Sequence, residues 1–520
     1  MKRGIILLLN NIAIRFNKKD FEYDVYSLVK AFYPQAQITM FYEGEEEAEG
    51  EYGMFLLVAY GSQEICLAVE RDGTEIFRQQ VAVEYEKDRP ETKNVLKRLV
   101  YGALCQVTGR KLPWGDLTGI RPTKIPMKLL EEGWKNTEIA RYMRETYGVS
   151  NEKTALAITI ANREKALLQD LDYENGYSLY VGIPFCPSIC LYCSFGSHPL
   201  ERWTKRVDEY LDTLCKELTF IREQMGARKL TTVYIGGGTP TTLEPEQLRR
   251  LLSHIQETFD FTWVKEYTVE AGRPDSITRE KLQVMKEFPV TRISVNPQTM
   301  NQKTLDVIGR KHTVEDTVNI FHMARELEFD NINMDLIIGL PGEGKEEVAH
   351  TLQEVEKLHP DSLTIHSLAL KRATRLNLFK DKYEEMSFEN SKEIMEMTQQ
   401  CAGNMGMGPY YLYRQKNIAG NFENVGYAEV DKAGIYNILI MEEKQTILGA
   451  GAGASTKILL KDPVRTEQGK QIDIVHVENV KNILEYISRV DEMTERKRRA
   501  GFPACLGNTA EEMRGEQLWH

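Results

Sequence analysis

The sequence predicts an α/β protein whose middle part is built on a parallel β-sheet. Six apolar, strand-like runs alternate with helical stretches after about residue 171, a rhythm typical of parallel strands joined by crossover helices. The runs are YSLYVGI, TTVYIGGG, EYTVEAG, RISVNPQ, NINMDLIIGL and SLTIHSLAL. Such a sheet is open or closes into a partial barrel, and its chemistry lies at the carboxyl ends of the strands.

Two flanking regions differ from this alternating pattern. Residues 1–170 combine strand-like runs with helical segments, including a hairpin signal at Asp72-Gly73, and predict an N-terminal α+β and helical extension. Residues 171–400 then form the sheet domain, and residues 401–520 form a mixed C-terminal region with a tail. A basic segment around Trp114, GRKLPWGDLTGIRPTKIP, is either an ordered loop packed on a neighbouring domain or a site for an anionic ligand or nucleic acid.

Composition and charge argue against several classes of protein. The 520 residues have a net charge of −11, which is unusual for a general nucleic-acid binder. No apolar run approaches the ~20 residues of a membrane span. Five of the eight cysteines are scattered singly, as expected for reduced thiols in a cytoplasmic protein. These are Cys66, Cys105, Cys215, Cys401 and Cys505.

The other three cysteines lie close together directly after the first strand of the sheet domain. Cys186, Cys190 and Cys193 stand in the stretch VGIPFCPSICLYCSF. This spacing is too tight for a four-cysteine zinc site, which needs two separated pairs. Thiolates also bind iron–sulfur clusters. Three of them on one short loop can hold three irons of a 4Fe–4S cluster while the fourth iron stays open to substrate.

A glycine-rich element follows the second strand. In YIGGGTPT, Gly236, Gly237 and Gly238 let the backbone approach a ligand without a Cβ in the way, although a simple turn would use the same glycines. Glu270 ends the third strand, where a carboxylate can accept hydrogen bonds from a ligand. Two other glycine-rich runs lack the features of a nucleotide site. GLPGEGKE has Glu346 where a phosphate loop has Ser or Thr, and GAGAGAS lacks the dinucleotide-binding spacing.

The cysteine spacing, the aromatic Tyr192 before the third cysteine and the position after a first strand resemble the radical S-adenosylmethionine (SAM) superfamily. The resemblance implies a partial (β/α)6 TIM-like barrel of the radical SAM type. It also implies one 4Fe–4S cluster held by Cys186, Cys190 and Cys193, with SAM bound to the open iron. In that superfamily the reduced cluster cleaves SAM to a 5′-deoxyadenosyl radical.

Longer stretches narrow the resemblance to one family. YVGIPFCPSICLYCSF, YIGGGTPT, RISVNPQTMNQKTLDVIGRKH and NMDLIIGLPGE resemble, in this order, the oxygen-independent coproporphyrinogen III dehydrogenase (HemN-like) family. PWGDLTGIRPTKIP and YLYRQKNIAGNFENVGY are similar to its HemZ branch. HemN-like enzymes hold two SAM molecules, so the resemblance implies one or two here. By position, the residues implied for the first are Tyr180, Gly237 and Glu270. The residues implied for the second are Tyr192, Gly238, Thr239, Gln298, Arg310, Asp335 and Ala369.

The reaction that the resemblance implies is an oxidative decarboxylation in haem biosynthesis. Two propionates of coproporphyrinogen III lose carbon dioxide and become vinyl groups, which gives protoporphyrinogen IX. A low-potential electron donor such as flavodoxin or ferredoxin would supply electrons. The substrate's carboxylates need cations, for which the candidates are Lys371, Arg372, Arg375, Arg414 and Lys416, although simple surface exposure is the alternative for each of them. Three tyrosines either wall the macrocycle or pack in a core, namely Tyr410, Tyr411 and Tyr413.

The same resemblance leaves alternatives open. HemN proteins continue the cysteine loop with a further cysteine, whereas this chain has Phe195 at that position. A Cys-x-Phe ending is found in the related HemW group, which implies a haem-binding chaperone. A further related branch contains radical SAM methyltransferases and haem-degrading enzymes. The set Gln298, Arg310 and Asp335 favours a second SAM site and therefore an enzyme.

Overall fold

The computed structural model describes residues 11–45, 52–85, 87–119, 121–194, 196–369, 374–378, 390–415, 422–465 and 471–500. They form two compact units. The first contains the described residues of Met1–Ala161 and Arg414–Phe422, and the second contains those of Asn162–Tyr413 and Glu423–His520. The three domains expected from the sequence stay a prediction.

The first unit is built on a five-stranded mixed sheet. Its strands are β1 (Asn11–Phe16), β2 (Gln37–Tyr42), β3 (Met54–Tyr60), β4 (Glu64–Arg71) and β5 (Thr74–Ala82). They lie in the order β2-β1-β3-β4-β5, with β1 parallel to β2 and β3 and the last three antiparallel. Asp72 and Gly73 form the β4–β5 turn with φ of 50° and 74°. A two-residue hairpin turn of this kind needs positive φ, so the predicted hairpin is confirmed.

Two helices pack against this sheet, namely α1 (Glu22–Phe32) and α2 (Arg89–Thr108). They are followed by α3 (Lys124–Glu131), α4 (Asn136–Tyr147) and α5 (Asn151–Leu168), and the last of these continues into the second unit. Val25 and Leu28 of α1 and Val100 of α2 share one buried core with Ile14 and Leu67 of the strands. The predicted N-terminal α+β extension is therefore present.

The second unit contains an eleven-stranded sheet and a separate two-stranded one. The strands of the large sheet are β6 (Gly176–Ile183), β9 (Lys229–Gly237), β10 (Glu266–Gly272), β11 (Arg292–Val295), β12 (Ile332–Ile338), β13 (Ser362–Ser367), β14 (Gly408–Tyr413), β15 (Asn424–Ala428), β16 (Thr446–Ala450), β17 (Ser455–Arg465) and β18 (Gln471–Glu478). The small sheet pairs β7 (Phe185–Cys186) with β8 (His198–Pro199).

The large sheet has the order β14-β15-β13-β12-β11-β10-β9-β6-β16-β17-β18. Its six central strands, β6 and β9 to β13, are parallel and coincide with the six predicted runs. Strands β14 and β15 add antiparallel pairs at one edge, while β16 lies parallel to β6 and is followed by antiparallel β17 and β18. In the described residues this order is open at both edges, as the predicted partial barrel requires.

Helices connect the parallel strands and follow them. They are α6 (Val207–Met225), α7 (Pro245–Thr258), α8 (Arg279–Lys286), α9 (Gln302–Val307), α10 (Val314–Glu326), α11 (Lys345–Leu358), α12 (Arg375–Leu378), α13 (Lys392–Asn404), α14 (Ile435–Glu442), α15 (Ile483–Ser488) and α16 (Val490–Arg499). Helix α7 shows why they form. Proline stands at its first position, and Leu248, Leu251, Leu252 and Ile255 are buried at helical spacing. Within the described part of the chain, no helix combines the length and the apolar character that a membrane span requires.

Candidate active site

The predicted site residues lie on the central parallel strands and in the loops at the carboxyl-terminal end of the sheet. This end is called the carboxyl edge below. Tyr180 of β6 stands in register with Tyr234 of β9, and Asp335 of β12 with Thr364 of β13. Glu270 lies near the carboxyl end of β10, between these pairs in the strand order. Residues from separate parts of the sequence therefore face one region, as expected for a parallel sheet.

The cysteine loop follows β6 at this edge. Cys186 and Cys190 are buried, Cys193 is half-buried, and none of the three takes part in a disulfide. The Cys186 Sγ lies 3.5 Å from the Thr239 Oγ1, and the Cys193 Sγ lies 3.8 Å from the Ser197 Oγ. Burial raises the pKa of the Cys186 thiol, which favours the neutral form until a positive metal centre takes the thiolate.

The glycine-rich element packs directly against the strand that leads to the first cysteine. The amide nitrogens of Gly238 and Thr239 donate to the carbonyl oxygens of Ile183 and Phe185, each at 2.7 Å. A Cβ added at Gly238 would lie 2.4 Å from the Phe185 carbonyl oxygen, which is closer than real Cβ contacts allow. Glycine is needed here because the two backbones touch, so the element holds the cysteine loop in place.

Glu270 lies next to a stack of aromatic rings. The Tyr234 hydroxyl donates a hydrogen bond to its carboxylate. The Tyr234 ring stacks on Tyr436 with 4.4 Å between centroids, and both rings lie near-parallel to Tyr180. Burial raises the pKa of Glu270 to about 7, and the nearby Asp335 carboxylate acts in the same direction. Near neutral pH this carboxyl group can therefore exchange between its acid and ionised forms.

Gln298 has a left-handed backbone conformation and a side-chain oxygen without a hydrogen-bond partner. Its φ is 70°, in the left-handed region that non-glycine residues seldom adopt. Two hydrogen bonds to β12 hold it there, from its own amide nitrogen to the Asp335 carbonyl oxygen and from the Ile337 amide nitrogen to its carbonyl oxygen. The side-chain Oε1 is buried and has no hydrogen-bond partner. A strained residue with an orphaned acceptor is typical of a ligand site.

Arg310 connects this region to the cysteine loop. Its Nη2 donates to the Tyr192 hydroxyl at 3.1 Å, and its Nη1 donates to the Asn296 carbonyl oxygen. Its Nε is buried without a partner. The side chain is 5 % exposed, so a positive charge is held next to the cysteines in a largely dry environment.

Asp335 is held from two sides. It accepts from the Asn333 Nδ2 at 2.7 Å, and the His366 Nε2 lies 3.7 Å from its Oδ2. The Tyr413 hydroxyl is 3.2 Å from the other ring nitrogen of His366. Burial alone would raise the pKa of Asp335. The neighbouring His366 and the hydrogen bonds from Asn333 and Thr364 outweigh burial and lower this pKa. Ala369 follows β13 at the same edge and is half-buried.

The structure adds one loop that the sequence analysis had set aside. The GAGAGAS run begins at the end of β16, and Ala452, Gly453 and Ala454 line an open pocket together with Tyr180 and Gly237. Lys481 stands at the same pocket. The signal that could have found this loop is its place after an apolar strand, because β16 runs parallel to β6 and ends at the same edge.

Other predicted residues lie elsewhere or outside the described chain. Tyr410 and Tyr411 are buried in a core with Leu168, which agrees with the core alternative, and Tyr413 packs against this core and contacts His366. Arg375 is exposed on α12. Phe195 and three candidate cations lie outside the described residues, the cations being Lys371, Arg372 and Lys416.

The centre of the segment around Trp114, residues 114–117, is buried in the first unit, whereas Arg110 and Lys111 are exposed. Trp114 is fully buried, and the guanidinium carbon of Arg414 lies 5.8 Å from the centre of its ring. Arg414 is itself 4 % exposed and donates to the Leu117 carbonyl oxygen at 2.6 Å. These contacts favour the ordered-loop interpretation over a ligand site at Trp114, and they give Arg414 a structural role.

The three cysteines of the loop are a donor set that an iron–sulfur cluster can use. Among the described residues, no group of three His, Cys, Asp or Glu side chains converges closely enough to hold one metal ion. A 4Fe–4S cluster bonds each thiolate to a different iron, so its ligands stay apart. Three thiols on one short loop, with the Gly238 backbone packed against it, fit such a cluster.

The fold and this loop define a class of protein. A family model described as the radical SAM superfamily matches residues 180–355. The solved structure of coproporphyrinogen III oxidase (HemN) from Escherichia coli, described as a radical SAM enzyme, gives a TM-score of 0.50 at 24% identity, covering 64% of this chain and 73% of that one. The structural likeness shows the shared fold, and the family implies a 4Fe–4S cluster and SAM.

Curated relatives narrow the class to a family. The oxygen-independent coproporphyrinogen-III oxidase-like protein HemZ of Bacillus subtilis is 39% identical over 481 residues, 91% of this chain and 93% of the relative. The chain belongs to this HemZ family and is a radical SAM oxidoreductase. The heme chaperone HemW of B. subtilis is 37% identical over 198 residues, 38% of this chain and 52% of HemW. The oxygen-independent coproporphyrinogen III oxidase of E. coli is 31% identical over 245 residues, 47% of this chain and 53% of that enzyme.

Proposed function

We propose that this chain is an oxygen-independent coproporphyrinogen III dehydrogenase. It would convert two propionate side chains of coproporphyrinogen III to vinyl groups and give protoporphyrinogen IX. The observation that carries the proposal is the buried, unpaired side-chain oxygen of Gln298, fixed by strained backbone beside Arg310 and Asp335. This arrangement suits a second SAM molecule, and two radical steps on one substrate are a reason to bind two.

In this proposal each part of the site has its own task. Cys186, Cys190 and Cys193 would hold three irons of one 4Fe–4S cluster. When bound, the cluster and SAM supply the one-electron chemistry that removes a hydrogen atom from the propionate. The residues proposed to contact the first SAM are Tyr180, Gly237 and Glu270. Those proposed to contact the second are Tyr192, Gly238, Thr239, Gln298, Arg310, Asp335 and Ala369.

The charges of these side chains match the groups of SAM. Glu270 and Asp335 are carboxylates that can accept from an ammonium group or from ribose hydroxyls. Arg310 has an unpaired N–H and can donate to a carboxylate. The Gln298 Oε1 can accept a further hydrogen bond. A low-potential protein such as flavodoxin or ferredoxin is the electron donor that this chemistry needs.

The decisive experiment is an anaerobic turnover assay with the full chain. The cluster is reconstituted, and SAM, a chemical reductant and coproporphyrinogen III are added. Mass spectrometry then follows 5′-deoxyadenosine and the porphyrin product. We expect both deoxyadenosine and a porphyrinogen that has lost two molecules of carbon dioxide. Deoxyadenosine without any decarboxylated porphyrin would exclude the dehydrogenase.

A haem chaperone is the second candidate, and the likeness to HemW over 198 residues favours it. A haem titration of the same preparation, followed by visible absorbance, distinguishes the two. Stoichiometric haem binding with no decarboxylated product would support the chaperone. Gln298→Ala is an informative variant, because loss of the second SAM site should stop decarboxylation while haem binding stays unchanged.

A further inference from the structure

A buried arginine that the proposed SAM site does not use lies against the cysteine loop. Arg273 follows β10, and only 4 % of its side chain is exposed. Its Nη1 donates to the Ser188 carbonyl oxygen at 2.9 Å and to the Ser188 Oγ at 2.7 Å. The same Nη1 lies 3.8 Å from the Cys190 Sγ. One guanidinium group thus contacts the loop and one of its three sulfur atoms.

The opposite edge of this guanidinium is fixed by a carboxylate. Its Nε and Nη2 donate to the two oxygens of Asp275 at 2.9 Å and 2.6 Å. A paired interaction of this geometry restricts the orientation of the planar group. The Ser188 hydroxyl, in turn, donates to the Gly309 carbonyl oxygen at 3.0 Å. The Nη1 atom is therefore aimed at the loop between the first and second cysteines.

Polar groups contact all three sulfur atoms. Hydroxyl groups of Thr239 and Ser197 face Cys186 and Cys193. Cys190 faces a permanently charged N–H donor. Hydrogen bonds to the sulfurs, the local charge and the exclusion of water set the potential of an iron–sulfur cluster. Reduction adds one negative charge, so a fixed cation and an N–H···S contact stabilise the reduced state more than the oxidised state.

We propose that Arg273 is a positioning residue that fixes Cys190 and raises the reduction potential of the cluster held by this loop. The step concerned is the transfer of one electron from a low-potential donor to the cluster, by which the donor is oxidised. The proposal rests on the proposed function only in so far as the three cysteines hold a 4Fe–4S cluster. It does not depend on which substrate is oxidised afterwards.

The test is a redox titration of the anaerobically reconstituted full chain, without SAM or porphyrinogen. The reduced cluster is followed by its EPR signal and the oxidised cluster by visible absorbance. In Arg273→Met the ratio of reduced to oxidised cluster at a fixed potential should fall about tenfold, which is 59 mV for one electron. Arg273→Lys should recover part of the shift. The control is Arg279→Met, which removes an exposed arginine paired with Glu326 and should leave the potential unchanged.

Asp275→Asn provides an independent test with the opposite sign. It keeps Arg273 but removes the negative charge beside it, so the cluster should become easier to reduce. This variant decides the question if Arg273→Met fails to assemble a cluster. A full iron and sulfide content with an unchanged potential in Arg273→Met, or an unchanged or lowered potential in Asp275→Asn, would overturn the proposal. The expected shifts in potential, together with no decarboxylated porphyrin in the separate turnover assay, would instead count against the dehydrogenase alone.

Discussion

Glu217 of α6 joins four segments of the second unit through one buried carboxylate. It accepts hydrogen bonds from the Gly451 amide nitrogen at 2.8 Å, the Asn479 Nδ2 at 2.8 Å, the Tyr486 hydroxyl at 2.5 Å and the Lys497 Nζ at 2.6 Å. The side chains of Glu217 and Lys497 are both fully buried. The bond to Gly451 matters most for the site, because that residue precedes the Ala452–Ala454 part of the pocket.

The expected loss of stability depends on the buried groups that each substitution leaves without a partner. Glu217→Gln keeps the shape but leaves the Lys497 ammonium buried without a counter-charge, which costs about 4 kcal/mol. Lys497→Met removes one hydrogen bond to a carboxylate that keeps three others, at about 2 kcal/mol. The double substitution leaves no unpaired charge, and we expect a cost of about 3 kcal/mol. The sum of the single effects exceeds this value by about 3 kcal/mol, which is the coupling between the two residues.

The assay is hydrogen exchange followed by mass spectrometry, since a chain of two units is not expected to unfold in one two-state step. Peptides covering residues 447–456 and 479–498 report opening around Glu217. If this opening costs about 4 kcal/mol less, amide hydrogens that exchange only through it should exchange about a thousandfold faster. The control is Lys345→Met, which breaks an exposed pair with Glu393 and should change little. Wild-type exchange in Glu217→Gln, or a double variant as unstable as the sum of the singles, would refute the reasoning.

Three further predictions concern the site itself. Because burial raises the pKa of Glu270 to about 7, the dissociation constant of SAM should fall about tenfold between pH 6 and pH 8 as the carboxyl ionises. Equilibrium dialysis should show this trend in the wild type and none in Glu270→Gln. Gly238→Ala should prevent cluster assembly because its Cβ would overlap the Phe185 carbonyl, while Gly196→Ala, with open space around it, should assemble normally as judged by iron content. Gln298→Gly should leave hydrogen exchange in the peptides around it no faster than in the wild type, since glycine accepts positive φ, yet lower the SAM bound per chain from two to one.

The sequence was sufficient for the six parallel strands because such strands are buried on both faces and appear as continuous apolar runs. It did not predict how the outer strands of the sheet pair. β16 pairs with β6, with Thr446 opposite Tyr177, although these residues are far apart in the chain. The local sequence of a strand does not indicate which other strand it pairs with. For the same reason the GAGAGAS loop was not recognised as part of a pocket.

The site was accessible from the sequence only where its chemistry depends on residue type. The cysteine spacing and the glycine triplet are of this kind, and the structure gives a steric reason for Gly238. No local rule places Gln298 in the left-handed region, since that conformation is imposed by its hydrogen bonds to β12. The burial of Trp114 likewise depends on tertiary contacts, so the charge of the segment around it suggested a ligand site that the packing does not favour.

The conformation of Gln298 bears on the choice between dehydrogenase and chaperone. A non-glycine residue at positive φ costs about 1–3 kcal/mol, and a buried acceptor without a partner costs about 1–3 kcal/mol more. The ligand-free fold therefore carries a local free-energy cost at this one residue. A glycine would remove the cost of the positive φ, and an apolar side chain would remove the cost of the unpaired acceptor. A ligand that donates to the Oε1 recovers this cost on binding. In the proposed function this ligand is a second SAM molecule, whose amino and carboxylate groups would meet the complementary charges of Asp335 and Arg310. Its binding would favour the dehydrogenase over the chaperone.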